Sequence, residues 1–263
     1  MTDFQTLTYS VADGLARIRL NRPDRGNQID GDFCREIHMV SVDMATRADV
    51  RAVLLAAEGR FFSVGGDIRG FLSDRAALPA TVFEWTTHIH SAIVRMQRMN
   101  APVVCAVEGD AAGGAVSFMA FADVIYAADD VRFTAGFAGI GFSADTGTTI
   151  SLSSRMGAAR TKRYLLLSET LDANAALEAG LVDVVLPKAE VAAAAEKTAL
   201  RLAAGPTQAF GTIKRTLASA RTSELEAQLE AEAQGLASNS ATDDAWEGLS
   251  AFAEKRKPVF RGR

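Results

Sequence analysis

Residues Val103–Met119 read as a short apolar strand that breaks into glycine and resumes as an apolar helix. Val103, Val104, Ala106 and Val107 make the strand, and Gly109, Gly113 and Gly114 occupy the passage to the helix, where almost no side chain intrudes. A strand–glycine–helix passage belongs to an α/β fold. The first N–H groups of a helix lack intrahelical partners and that end is positive, so a bare N–H near Gly114 can receive a negatively charged oxygen. The same glycines also suit tight strand–helix packing and nothing more. A second turn of the same kind weighs against the plainer reading. It spans Gly59–Asp67, with Ser63, Gly65 and Gly66; it follows the near-continuous apolar run Val50–Ala57 and leads into a short helix. Two converging main-chain N–H groups are what an enolate or tetrahedral oxyanion requires.

The rest of the chain fits around these turns. Asp13-Gly14 joins two alternating strands, Thr6–Val11 and Leu15–Leu20, as a hairpin. Asp30 precedes a helix with Phe33, Ile37, Val40 and Met44 on one face, and a longer helix over Thr81–Met99 carries Val82, Trp85, Ile89, Ile93 and Met96. Ala135–Gly141 reads as a flexible glycine-rich loop, and Asp145 precedes a helix over about Thr146–Met156. Ser223 and Glu226 have capping-box spacing, and Asp172 caps a short helix ended by Gly180. Strands fill the first part of the chain and helices the last. The expected organisation is one α/β core over 1–200 and a helical C-terminal region over 201–263.

With 263 residues, 48% of them apolar, the chain can bury a large core without metal or disulfide staples. A net charge of −4 gives no nucleic-acid footprint. Cys34 and Cys105 sit in apolar segments without CxxC spacing and read as reduced and buried, as in a cytoplasmic protein. The N-terminal segment MTDFQTLTYS has no basic or apolar leader pattern, and no apolar run is long enough to span a membrane. Three histidines are too few for a histidine-rich metal site, so no metal is expected.

FFSVGGDI (Phe61–Ile68), VEGDAAGG (Val107–Gly114), ADVIYAADDVRF (Ala122–Phe133) and AALEAGLVDVVLP (Ala175–Pro187) together resemble the crotonase, or enoyl-CoA hydratase/isomerase, superfamily. The resemblance runs from Asn21-Arg22-Pro23 to the C-terminal FAEKRKPVF. It implies a spiral of ββα units, a C-terminal helical trimerisation region forming a homotrimer or homohexamer, and an acyl-CoA thioester substrate. Coenzyme A is then part of the substrate, and no separate cofactor is expected. The oxyanion hole would fall on the N–H groups of Gly66 and Gly114. Phe61–Asp67, with Ser63, Gly65 and Asp67, would line the adenine pocket next to Ile68, and Arg25 resembles a loop residue near the CoA phosphates.

The departures from the family pattern bear on the reaction. The two glutamates that the family's hydratases use would fall on Ser117 and Phe137, neither of which is an acid or base near neutral pH. Asp145 is similar to the aspartate of the isomerase branch, which includes dienoyl-CoA and ring-1,2-epoxyphenylacetyl-CoA isomerases. A double-bond shift needs one base, and burial near Phe137 and apolar neighbours would raise the pKa of Asp145 toward a useful value. Alternatively, Asp145 simply caps its helix.

Asp145, His90 and Gly114 also resemble 4-chlorobenzoyl-CoA dehalogenase, where aspartate attacks the ring and histidine assists ester hydrolysis. That enzyme's tryptophan donor is replaced here by Phe137. His90 flanks the apolar face of its helix beside Phe83, Ile93 and Val94, and a packed histidine is the simpler expectation. The sequence thus favours a CoA-thioester isomerase. A hydratase, a dehalogenase-like hydrolase and a non-catalytic acyl-CoA binder stand as its rivals.

Overall fold

A computed structural model of the chain describes residues 4–263. Met1–Asp3, the start of the segment read as free of a leader, lie outside the described residues. The chain opens with the expected hairpin, β1 (Leu7–Ala12) against β2 (Leu15–Leu20), turned by Asp13 and Gly14 at φ 56° and 75°. That left-handed pair matches the right-handed twist of the flanking strands. Helix α1 (Gly31–Thr46) follows, with Phe33, Ile37, Val40 and Met44 buried as their spacing requires.

Three times in succession the chain then runs a buried strand, a short strand and a helical segment. Strand β3 (Ala52–Ala57) leads to β4 (Phe61–Ser63), then α2 (Ile68–Phe71) and α3 (Leu78–Arg98). Next, β5 (Val103–Val107) leads to β6 (Asp110–Ala112) and α4 (Gly114–Met119). Finally β7 (Val124–Ala128) leads to β8 (Arg132–Thr134), α5 (Thr148–Met156) and α6 (Ala158–Leu166). Strand β9 (Thr170–Asp172), α7 (Ala173–Glu178) and β10 (Val184–Leu186) complete the sheets. The six-stranded sheet has the order β1-β2-β3-β5-β7-β10, and the four-stranded sheet β4-β6-β8-β9. All pairings from β2 to β10 in the large sheet are parallel. Strand β5 is buried at every residue, as its unbroken apolar run demands.

The short strands refine one expectation. The Gly59–Asp67 stretch follows β3 and the Gly109–Gly114 stretch follows β5 as expected, but each contains a three-residue strand of a second sheet, β4 or β6. Three residues cannot establish a period, so periodicity does not reveal them.

Helix α8 (Lys188–Ala203) packs across β3, β5 and β7 and is followed by α9 (Thr207–Ser219), α10 (Leu225–Ser240) and α11 (Asp243–Ala253). Helix α9 is stapled to the core by the buried charge of Lys214, and α11 holds the C-terminal tail through Asp244. Lys214 Nζ reaches Ala101 O at 2.9 Å, Met96 O at 3.1 Å and the Asp123 carboxylate at 3.0 Å. Buried Asp244 accepts the Arg261 and Gly262 amides at 2.6 and 2.7 Å. The expected capping box does not form: α10 starts after Glu224 without a side-chain cap, because Ser223 still donates its N–H to Ser219 O at 3.0 Å. Cys34 and Cys105 are free and buried. No described helix is long and apolar enough to cross a membrane.

Candidate active site

Because β4 and β6 pair in parallel, with Phe61 opposite Asp110, the two glycine turns that follow them lie side by side. Gly65 sits at φ 84°, and a Cβ there would lie 2.7 Å from Ala112 O, so only glycine permits this approach. The Ser63 hydroxyl accepts the Gly65 N–H at 3.1 Å, and Gly113 donates to Thr134 O at 2.9 Å. Ile29 N–H binds Gly65 O at 2.8 Å while Ile29 O accepts the Asp67 N–H at 3.1 Å. The intervening Gly66 N–H is left unused. Gly114 is the first residue of α4, so its N–H has no intrahelical partner. Among the described residues neither amide has a backbone acceptor. Ile29 also adjoins the second turn, its Cδ1 lying 3.6 Å from where a Gly114 Cβ would be.

Asp145 does not cap α5. The helix begins at Thr148, its N-cap is Gly147, and no side chain caps it. Instead, Asp145–Thr148 is a tight turn in which Thr148 N–H binds Asp145 O at 2.9 Å. The carboxylate accepts the Thr146 hydroxyl at 3.0 Å on Oδ1, and that oxygen lies 3.7 Å from the Cβ position of Gly114. Burial pushes the carboxyl above its ordinary range, although the Thr146 hydrogen bond and a charged His90 act the other way.

Ser117, where a hydratase glutamate would stand, is fully buried and hydrogen-bonds the Thr148 hydroxyl, which in turn donates to Asp145 O. It anchors the turn that carries Asp145. Phe137 is half-buried and its carbonyl accepts the Ile140 and Phe142 amides at 3.2 and 3.1 Å, giving the glycine-rich loop a 3₁₀ turn over Ala138–Ile140.

His90 departs from expectation. It is exposed, on a side of α3 shared with Phe83 and Val94, which are 77% and 53% exposed. The buried stripe of α3 is Ile89, Ala92, Ile93 and Met96, one position round the helix from His90. Its imidazole is therefore not core packing. His88 instead lies 5.5 Å from His38, centroid to centroid.

The remaining residues border the first turn. The Asp67 carboxylate accepts the Gly70 N–H at 3.0 Å as the cap of α2, and Ile68 is half-exposed. Arg25 is exposed in a 3₁₀ turn whose Gly26 O accepts the Val64 N–H at 2.9 Å. Three aromatic rings from separate segments gather at the first turn. Phe71 lies 3.1 Å from the Cβ position of Gly66, with Trp85 and Phe142 at ring distances of 5.0 and 5.7 Å. Trp85 stands out in sequence only as a member of an apolar stripe, and Phe142 only as a loop residue. No group of three metal-ligating side chains is assembled among the described residues. An unpartnered N–H at Gly114 beside a carboxyl of raised pKa, with a second at Gly66 on the neighbouring turn, suits oxyanion stabilisation and proton transfer.

A sequence profile of the enoyl-CoA hydratase/isomerase family matches residues 10–263. A trans-2-decenoyl-acyl-carrier-protein isomerase from Streptococcus mutans is 30% identical over 266 residues, covering 99% of this chain and all of the relative. A 1,2-epoxyphenylacetyl-CoA isomerase from Escherichia coli is 32% identical over 256 residues, covering 96% of this chain and 97% of the relative. A solved structure from Mycobacterium abscessus, assigned to enoyl-CoA hydratase/isomerase, superposes with a TM-score of 0.91 at 34% identity, over 98% of this chain and 100% of the other.

Proposed function

Because the chain belongs to the enoyl-CoA hydratase/isomerase family, we propose that it isomerises an acyl-CoA thioester through an enolate, with Asp145 as its single acid–base residue. The observation that carries this reading is the Asp145 carboxyl, uncapped, raised in pKa and turned toward Gly114. The Gly66 and Gly114 N–H groups hold the thioester oxygen as negative charge develops on it. Asp145 removes a proton from the carbon next to the thioester, and the electron pair moves onto that oxygen. The protonated carboxyl then returns the proton at the far end of the conjugated system, so the double bond shifts and the mass is unchanged. A raised pKa suits both halves of this exchange, since the acid formed must also donate.

Hydration requires a further group to activate water. The Ser117 hydroxyl is engaged with Thr148, and Phe137 has nothing to offer. A hydrolytic reading draws on one observation, the exposed His90 imidazole on α3. It would give a free acid or a dehalogenated product. In our reading Arg25 meets the CoA phosphates, Phe61–Asp67 and Ile68 border the adenine, and the exposed Trp246 and Phe252 of α11 support assembly into a homotrimer or homohexamer.

Mass spectrometry of a panel of 3-enoyl-, dienoyl-, epoxyphenylacetyl- and aroyl-CoA esters tests the proposal. A product of unchanged mass supports isomerisation. A gain of one water indicates a hydratase, and tight binding without product indicates a non-catalytic binder.

A further inference from the structure

Among the described residues five non-glycine residues adopt positive φ: Asp13, Asn27, Thr146, Ser168 and Lys255. Thr146, at φ 52°, is the β-branched one, and for such a side chain this region is a genuine outlier. Gly147 follows at φ 67°, so both central residues of the Asp145–Thr148 turn are left-handed. Asn-Gly fits such a turn without strain. Strain that persists is held in place by its surroundings.

Those surroundings lock the turn from three sides. A Cβ on Gly147 would lie 2.5 Å from Phe121 Cζ, so that ring closes over it. Thr148 is tied to buried Ser117 by its hydroxyl. Thr146 itself is 2% exposed, with Oγ1 3.2 Å from the Cβ position of Gly114 and 3.0 Å from Asp145 Oδ1.

We propose that Thr146 is a positioning residue: its left-handed backbone sets its hydroxyl between the Gly114 turn and Asp145, and that hydroxyl aims the carboxylate at the substrate's acidic carbon. This inference rests on Asp145 being the acid–base residue. Threonine serves where asparagine would sit more easily because its short hydroxyl fits the narrow space beside Gly114. Donating to the carboxylate also restrains the rise in its pKa, since a hydrogen bond to the charged form favours that form. His90 of α3 acts on this carboxylate in the same direction as Thr146, and the Asp145 charge in turn raises the Cys34 thiol of α1.

The test uses three variants of the full chain: Thr146→Val, which keeps the shape and loses the hydroxyl, Thr146→Ser, which keeps the hydroxyl, and Asp145→Asn. With an accepted CoA ester, T146V should lower kcat about tenfold or more with KM nearly unchanged, the pattern of lost transition-state positioning. The acid limb of its kcat/KM–pH profile should move to higher pH. T146S should restore both. A carboxyl-carbon NMR titration, with D145N assigning the resonance, should report the same upward shift without relying on turnover. Should T146V unfold, Thr146→Ala carries the same expectations. An active D145N would remove the proposed acid–base role itself. An inactive D145N beside a T146V with wild-type kcat and pH profile would overturn only the role of Thr146. Equal losses in T146V and T146S would reduce Thr146 to a packing contact.

Discussion

Asp30 and Asp145 both stand at the entrance to a helix, and the structure uses their carboxylates in opposite ways. Asp30 accepts the Phe33 amide at 3.0 Å and pairs with Arg22 at 2.7 Å. Burial raises its pKa, but Arg22 and the Phe33 amide outweigh burial and hold it below the ordinary range. Asp145 has no capping bond and no paired arginine; Gly147 is the N-cap of its helix, and burial wins. Asp172 follows the first pattern, accepting the Ala175 amide at 2.8 Å. A carboxylate given to a helix cap stabilises the fold. One held uncapped in a buried turn costs stability and remains free to exchange a proton.

The largest expected effect comes from removing the uncapped carboxylate. Asp145→Asn should lower kcat by about 10³-fold or more while the acyl-CoA ester still binds, as stopped-flow and equilibrium binding would show. Gly114→Ala should cost about 10²-fold in kcat. Its methyl would press on Thr146 Oγ1 at 3.2 Å, and it sits at the N–H proposed to hold the oxyanion.

At the capped aspartates the losses should be in stability instead. Asp30→Ala removes both a cap and a largely buried ion partner and should cost about 2–4 kcal/mol in urea unfolding. Asp172→Ala should cost about 1 kcal/mol. Neither should change kcat per folded molecule by more than about twofold. If Asp172→Ala were as inactive as Asp145→Asn, the distinction between capped and uncapped carboxylates would have no functional meaning.

The two groups should also respond oppositely to pH. A folded pKa held below the unfolded value gives Asp30 a contribution present above the unfolded pKa and lost as pH falls through the folded one. For Asp145 the folded pKa lies above the unfolded value, so stability is greatest below the unfolded pKa and declines as pH rises through the folded one. Asp145→Asn should therefore raise Tm at pH 7, with the gain fading in acid, while Asp30→Ala should lower Tm at pH 7, with its loss fading in acid.

How far the sequence reveals these differences depends on the range of the interactions. The hairpin at Asp13-Gly14, the buried face of α1 and the fully buried β5 follow from local pattern and turn chemistry. The second sheet does not, because β4 and β6 are three residues each and exist through pairing with each other. The exposure of His90 is not legible, because helical spacing cannot tell where an apolar stripe ends. The aromatic trio is equally hidden: Phe71, Trp85 and Phe142 come from separate segments and meet only in the fold. Thr146 carries no sequence signal at all, since its interest lies in a backbone angle. Asp145 is visible in the sequence, but its choice between cap and acid–base group depends on the start of α5, two residues later than its spacing suggests.

The central claim is that one uncapped carboxylate moves a proton and that no water is added. It is tested most directly by mass spectrometry of an isomerisable enoyl-CoA ester incubated with the wild-type chain and with Asp145→Asn. The expected result is a rearranged product of unchanged mass from the wild type and none from the variant. A product heavier by one water, or full turnover by Asp145→Asn, would contradict it.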